Sequence, residues 1–162
     1  MAYKVIKLGL LLFIIVILYL FPGCSEKMNT FEKNGMAITL TNDYQEKPKE
    51  NTTAYYESSK AAVIAEKDDF ASINDSGMSS DISAAEYAEL IIESSGLDMS
   101  VLEENGLTYF EYSMDTDFGS FKYLASVYKS SDAFWLIQFS CQTDIYDSMR
   151  SEFFTFAQSV KV

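Results

Sequence analysis

The chain has 162 residues with 24 acidic and 12 basic side chains, which gives a formal net charge of −12 at pH 7, and it contains no histidine. The missing histidine excludes Ser-His-Asp and Cys-His catalytic pairs and His-ligated zinc. The excess of acid argues against a nucleic-acid partner, because affinity for a phosphate backbone comes mainly from clustered lysine and arginine. At this length we expect one domain.

The N-terminal segment differs in composition from the rest of the chain. Lys4 and Lys7 are its charged residues, and residues 8–23 form an uncharged, largely apolar run. A membrane-spanning helix needs about 20 apolar residues, whereas a signal peptide needs a hydrophobic region of about 7 to 15 residues after a basic start. Residues 1–23 are therefore predicted to be an N-terminal hydrophobic signal helix.

This segment ends in Phe-Pro-Gly-Cys at residues 21–24, which resembles the lipobox of bacterial lipoproteins. In that family a small residue precedes a cysteine that is diacylated and becomes the new N-terminus after cleavage. Gly23 and Cys24 match this pattern, while Phe21 and Pro22 depart from its usual aliphatic and small residues. The resemblance implies lipidation at Cys24 and attachment to the extracytoplasmic face of the cell membrane. The alternative is an uncleaved anchor helix in which Cys24 is an idle thiol.

The same resemblance divides the chain into a signal peptide at 1–23, an acylated cysteine with a short tether at 24–30, and a domain at 31–162. Two acyl chains anchor a protein stably, whereas one gives marginal binding. Without residues 1–23 the chain has 10 basic and 24 acidic side chains, a net charge of −14, so lipid and not surface charge would hold it at an anionic leaflet. Cys141, at the end of an apolar run, is predicted to be a small buried side chain.

The first half of the domain is predicted to contain short strands and one helix. The strands are predicted at 36–40, 53–58 and 61–66. Polar residues at 41–51 and 68–83 indicate loops. Ser83 and Glu86 have the spacing of a capping box, which predicts a helix that begins at residue 84 and ends near Gly96.

The second half contains the clearest strand pattern. Three long runs, at 107–114, 120–129 and 133–141, are separated by short connections that force antiparallel hairpins. The last run has apolar residues on both faces, as expected for a central strand between two layers. A weak helical turn is predicted at 99–104, and an amphipathic helix at 144–159 with Thr143 or Asp144 as its N-cap. The predicted class is α+β, an antiparallel β-sheet flanked by helices.

Two core segments carry a second resemblance. The run Gly-Met-Ala-Ile-Thr-Leu at 35–40 and the run Ala-Phe-Trp-Leu-Ile-Gln-Phe at 133–139, with a middle and a closing helix, look like the PsbP-like superfamily and its bacterial lipoproteins of the DcrB type. The resemblance covers residues 31–162. It implies a PsbP-like α/β/α sandwich and a role in binding or assembly more than in catalysis. Its motifs are core-packing motifs, so it assigns no catalytic, cofactor-binding or metal-binding residue.

Two groups of acidic residues are candidate cation sites. The segment 115–119 alternates acids as a calcium loop does, but it lacks the later ligands of such a loop, so a hairpin turn is favoured. Asp68, Asp69, Asp75 and Asp81 would gather around a divalent cation if their loop folded back on itself. A solvated acidic loop is favoured.

Glu103, Glu104 and Glu111 are close enough in sequence to suggest the paired carboxylates of a glycoside hydrolase. That mechanism needs a cleft and a carboxyl group with a raised pKa, and a solvated face is favoured for the neighbouring Glu103 and Glu104. Arg150 is predicted to form a salt bridge with Asp147 or to lie at the surface. The aromatic residues of the strands have two interpretations, a ligand pocket or the core, and the core is favoured. These residues are Tyr109, Tyr123, Tyr128 and Trp135.

The sequence therefore predicts a lipid-anchored extracytoplasmic binding or assembly protein without catalytic activity. Its expected partners are the membrane, through Cys24, and a protein of the cell envelope. A carboxylate-dependent envelope hydrolase and a metal-binding envelope protein are the alternatives. No sequence motif indicates a cofactor.

Overall fold

The computed structural model describes residues 27–162, so the predicted signal segment and Cys24 lie outside the described residues. Within this range the chain forms nine strands and three helices. The strands are β1 (Met28–Lys33), β2 (Met36–Thr41), β3 (Gln45–Glu46), β4 (Ala54–Glu57), β5 (Ala61–Asp69), β6 (Leu102–Glu104), β7 (Leu107–Thr116), β8 (Gly119–Lys129) and β9 (Ala133–Gln142). The helices are α1 (Phe70–Asp75), α2 (Ala84–Ser94) and α3 (Tyr146–Ser159). None of these helices is both long and apolar enough to cross a membrane.

Seven strands form one antiparallel sheet in the order β3-β4-β5-β9-β8-β7-β6. Strand β9 lies at its centre, paired with β5 on one side and with β8 on the other. Strands β1 and β2 form a separate antiparallel hairpin, and backbone hydrogen bonds between Ala37 and Lys161 join this hairpin to the end of α3. This antiparallel sheet with flanking helices confirms the predicted α+β class.

Alternate side chains of each strand point to opposite faces of the sheet. One face, which we call the α3 face, packs against α3 and the β1–β2 hairpin and carries the larger core. The opposite face, which we call the α2 face, carries a smaller core beneath α1 and α2. On β9, Trp135 and Phe139 belong to the first core, and Phe134 and Leu136 to the second. The central position predicted for this strand is therefore confirmed.

Helix α2 begins where the sequence predicts. The Oγ of Ser83 accepts a hydrogen bond from the backbone N–H of Glu86 at 3.1 Å, and the Oε2 of Glu86 accepts one from the backbone N–H of Ser83 at 2.7 Å. This capping box satisfies two of the backbone donors that a helix start leaves free. The helix packs its Tyr87 ring on Phe134 of the sheet, with 4.2 Å between the ring centroids.

The structure adds three elements in the first half of the chain: strand β1, the two-residue strand β3 within the loop predicted at 41–51, and helix α1. Strand β1 begins at Met28, inside the segment that the sequence assigns to the tether, and all of its side chains except Phe31 are exposed. That exposure explains why hydrophobic periodicity does not reveal it. Helix α1 interrupts the stretch predicted as a polar loop: Ile73 is buried in the smaller core and Phe70 packs against that core, while the other residues of the helix are exposed.

Two predictions in the second half are wrong. Residues 102–104 form the edge strand β6, paired with β7, and not a helical turn. Helix α3 begins after Ile145, and no side chain caps it, although Thr143 or Asp144 was predicted as the cap. The backbone N–H of Thr143 instead donates to the carbonyl of Ser120, which extends the sheet pairing through the predicted cap position.

Candidate binding groove

The helices cover only part of the α2 face. They pack over the end of the sheet where β5 leads into α1. At the opposite end of the strands, side chains of the same face remain partly or fully exposed. We call this area the open face, and it consists of Tyr55, Ala62, Ile64, Phe121, Tyr123 and Gln142.

The open face forms the floor of a groove of about 810 Å³. One wall contains Lys49, whose Nζ lies 4.7 Å from the centroid of the Tyr55 ring of the floor. The opposite wall is the tip of the β7–β8 hairpin with Thr116 and Phe118. The groove therefore places a cation and several aromatic rings around a common space, a composition that favours binding of another molecule.

Phe118 is the most exposed feature of this wall, with 87% of its surface accessible. The turn holds its backbone in place: the Oγ1 of Thr116 accepts from the N–H of Phe118 at 3.1 Å and donates to the carbonyl of Gly119 at 3.0 Å. A single exposed apolar side chain is common on protein surfaces, but one that continues into an aromatic groove forms a patch of the kind that binds partners.

Two stacked tyrosines border the floor of the groove. Tyr112 of β7 and Tyr123 of β8 are directly opposite in the sheet, and their rings lie 4.6 Å apart at an interplanar angle of 4°. The Tyr112 hydroxyl donates a hydrogen bond to the Oε1 of Gln138. Burial raises the pKa of Tyr112 well above its usual value, so this hydroxyl stays protonated at neutral pH.

The structure tests the prediction for one of the two cysteines, Cys141. Cys24, the predicted lipidation site, lies outside the described residues. Cys141 is buried in the larger core, as the sequence predicts. Burial raises the pKa of its thiol to about 11, which makes it a poor nucleophile at neutral pH.

The acidic candidates do not gather. The segment 115–119 contains the turn between β7 and β8, which confirms the predicted hairpin. Asp69 pairs with Lys67 at 2.8 Å, while Asp68 accepts a hydrogen bond from the Tyr87 hydroxyl. Within residues 27–162, no three Cys, Asp or Glu side chains lie together as a metal site would require.

Arg150 is partly exposed and connects two of the other acidic candidates, so the predicted salt bridge with Asp147 is wrong. Its Nε donates to the Oε1 of Glu111 at 2.7 Å, and its Nη2 lies 4.0 Å from the Oε2 of Glu104. Its guanidinium carbon is 4.6 Å from the centroid of the Phe154 ring. The prediction of Asp147 considered only the same helix, whereas Glu111 approaches from β7. Glu111 is therefore a partly buried member of an ion pair, whereas Glu103 and Glu104 are exposed, as the prediction of a solvated face expects.

The four aromatic candidates separate between the core and the groove. Tyr109 and Trp135 are buried in the larger core, and Tyr128 packs against that core and donates its hydroxyl to the carbonyl of Ala157 at 2.8 Å. Tyr123 points to the other face and lines the groove. The core interpretation is therefore confirmed for three of the four.

Sequence reasoning missed the other groove residues, Tyr55, Phe118 and Phe121. Phe118 had a local signal, since it is an aromatic residue within an otherwise polar turn. Tyr55 and Phe121 had no such local signal. They line one groove only because β4 and β8 belong to the same sheet and these two side chains point to the same face of it.

Several proteins of known structure are similar to this chain, and two of them illustrate the similarity. The solution structure of cyanobacterial PsbP (CyanoP) from Synechocystis matches with a TM-score of 0.54 and 14% sequence identity, over 88% of this chain and 96% of that one. The chain has a PsbP-like fold. A crystal structure from Bacteroides thetaiotaomicron matches with a TM-score of 0.55 and 7% identity, over 84% of this chain and 48% of that one, so this chain spans about half of its length.

The PsbP-like fold confirms the architecture that the two core segments led us to expect. At these identities the similarity concerns the fold alone. No protein-family model and no curated protein matches the chain.

Proposed function

We propose that this protein is a lipid-anchored extracytoplasmic binding or assembly protein without catalytic activity. We further propose that its groove receives a protein partner of the cell envelope. The observation that carries the proposal is the groove of about 810 Å³, whose aromatic floor continues into the exposed Phe118. Exposed aromatic side chains at the rim of a concave surface are typical anchors of protein contacts.

The proposed anchor is a diacylated Cys24. Strand β1 begins at Met28, so the three residues at 25–27 would separate Cys24 from this strand. At roughly 3.5 Å per extended residue, the tether would hold the β1–β2 hairpin within about 15 Å of the lipid. The groove would then meet partners that lie at or near the membrane surface.

Photo-crosslinking in intact cells tests the docking surface. A photoreactive residue at position 118 is expected to give a discrete crosslinked protein, because Phe118 extends from the proposed contact surface. The matched control is position 78, since Met78 is also an exposed apolar residue but follows α1 at the opposite end of the sheet. Identical crosslinked species at both positions, or none at position 118, would contradict the proposal.

Mass spectrometry of the mature N-terminus tests the anchor. We expect a chain that begins with a diacylated Cys24, and we expect the Cys24→Ala variant to lose this modification. An unmodified chain that retains residues 1–23 would contradict the lipid anchor and support the uncleaved helix instead.

A further inference from the structure

A second cavity of about 320 Å³ lies between α2 and the sheet, next to the groove. Its apolar walls come from Ile91 of α2 and from Phe110 and Leu136 of the sheet. Tyr112 lines this cavity and Tyr123 lines the groove, so the stacked pair stands between the two spaces. Its volume is at the lower end of the range of roughly 300 to 1,000 Å³ that small-molecule sites occupy.

The charged side chains that line this cavity are both acidic. The carboxylates of Glu66 and Asp68, two residues apart on β5, both line it. Ser95, the C-cap of α2, lines it as well, so the cavity lies at the end of the helix that carries a partial negative charge. No lysine or arginine is among the described residues that line it. Three separate features of the cavity therefore favour a cation.

The negative charge of Glu66 is only weakly balanced by positive charge in this position. Burial raises the pKa of its carboxyl group, and the nearby charge of Asp68 raises it further. Lys49 lowers the same pKa, but its Nζ is held over the Tyr55 ring in the groove. A carboxylate that has lost part of its hydration gains most from a cation placed beside it.

We propose that this cavity binds an organic ammonium ion, with the charged group beside Glu66 and Asp68 and the apolar body against Phe110 and Leu136. The hydroxyl of Tyr87 already donates to Asp68, and that of Tyr112 donates to Gln138. Both hydroxyl oxygens therefore keep lone pairs that accept hydrogen bonds from the ammonium group. The ligand class differs from the protein partner proposed for the groove.

The experiment compares three probes of similar shape: phenethylammonium, neutral 2-phenylethanol and anionic 3-phenylpropionate. The full chain, as isolated from cells and placed in nanodiscs of zwitterionic lipid, is labelled at its methionine methyl groups. Met114 lines the cavity, whereas Met78 lies after α1 and serves as the internal reference. We expect the Met114 signal to shift and saturate, with a dissociation constant at least about fivefold lower for the ammonium than for the alcohol. We expect 3-phenylpropionate to bind most weakly.

The variant Glu66→Gln separates the charge from the shape of the site. It is expected to reduce the preference for the ammonium over the alcohol to about twofold or less, while the affinity for the alcohol stays the same. The control Glu57→Gln changes a carboxylate of the neighbouring groove that is paired with Lys47, and it is expected to keep the full preference.

Several results would overturn the proposal. These are equal affinity for the ammonium and the alcohol in the unchanged protein, tighter binding of the anion, and a shift of Met78 as large as that of Met114. Retention of the full preference in Glu66→Gln would also overturn it. The crosslinking at position 118 addresses a different space, so either proposal can fail while the other holds.

Discussion

Glu66 is a carboxyl group that the fold holds in a half-buried position at the edge of a cavity. Because its pKa is raised in the folded protein, the folded state binds its proton more tightly than the unfolded state does. Its contribution to stability is therefore most favourable below the ordinary pKa of 4.5. It becomes less favourable as the pH rises through the interval between that value and the raised pKa.

The Glu66→Gln variant should consequently be more stable than the unchanged protein at pH 7. We expect a gain of about 0.5 kcal/mol, because the side chain is only partly buried and stays in contact with solvent. Urea unfolding at pH 7 and at pH 3.5 measures this difference, which should disappear at the lower pH. The control is Glu89→Gln on the exposed side of α2, which should give no gain. An equal gain at both pH values would show that the charge is not its cause.

Arg150 stabilises the contact between α3 and β7 through its bond to Glu111. The Glu111 side chain is only 17% exposed, so removing Arg150 leaves a poorly hydrated carboxylate whose remaining ion pair is the longer one with Lys122, at 3.6 Å. We expect Arg150→Ala to lower the free energy of unfolding by about 1 to 2 kcal/mol, between the values typical of exposed and buried pairs. The exposed pair of Lys47 and Glu57 provides the control: Lys47→Ala should leave the urea midpoint nearly unchanged. Equal effects of the two substitutions would contradict this role.

At the scale of an element, the capping box sets the start of α2. Replacing Ser83 with alanine removes the side-chain acceptor of the Glu86 N–H, and we expect a loss of about 1 kcal/mol. Urea unfolding followed by circular dichroism measures this loss. The variant Glu86→Gln keeps both hydrogen bonds of the box, because glutamine serves at that position, so its midpoint should stay closer to that of the unchanged protein. A larger loss for Glu86→Gln than for Ser83→Ala would contradict the assignment.

The elements that sequence patterns predicted are those with buried, periodic side chains. Strands β7, β8 and β9 and helices α2 and α3 each place regular apolar positions against a core. Strands β1 and β6 are mostly exposed and were missed, yet each leads into an Asn-Gly turn, the strongest short hairpin signal. Asn34 and Gly35 have φ values of 51° and 95°, and Asn105 and Gly106 have φ values of 52° and 80°, as such turns require.

The groove and the cavity lay beyond the reach of sequence patterns for a different reason. Both depend on where α2 ends over the sheet, because the same strands carry buried side chains beneath the helix and exposed ones beyond it. Tyr112 and Phe110 illustrate this: they are two positions apart on one face of β7, and only Phe110 is fully buried. Periodicity assigns a residue to a face, but the extent of the covering helix decides whether that face is core or binding surface.

For the whole molecule, the two cores share a single central strand. The residues of β9 alternate between them, and the larger core holds Trp135, the single tryptophan of the chain. Loss of either core would therefore remove support from the other, which predicts one cooperative unfolding transition for the described domain. The fluorescence of Trp135 therefore reports unfolding of the α3 face directly. It reports unfolding of the α2 face only if the two cores unfold together.

Substitution of Phe134, which is buried in the smaller core, tests this coupling. We expect Phe134→Ala to lower the free energy of unfolding by about 3 to 5 kcal/mol, because it leaves a cavity beneath α2. Tryptophan fluorescence and far-ultraviolet circular dichroism should give the same shifted midpoint, although Phe134 and Trp135 point to opposite faces. Phe118→Ala, which changes a phenylalanine that is exposed at the hairpin tip, should leave both midpoints in place. A tryptophan transition that stays unshifted in Phe134→Ala would mean that the two faces of the sheet unfold independently.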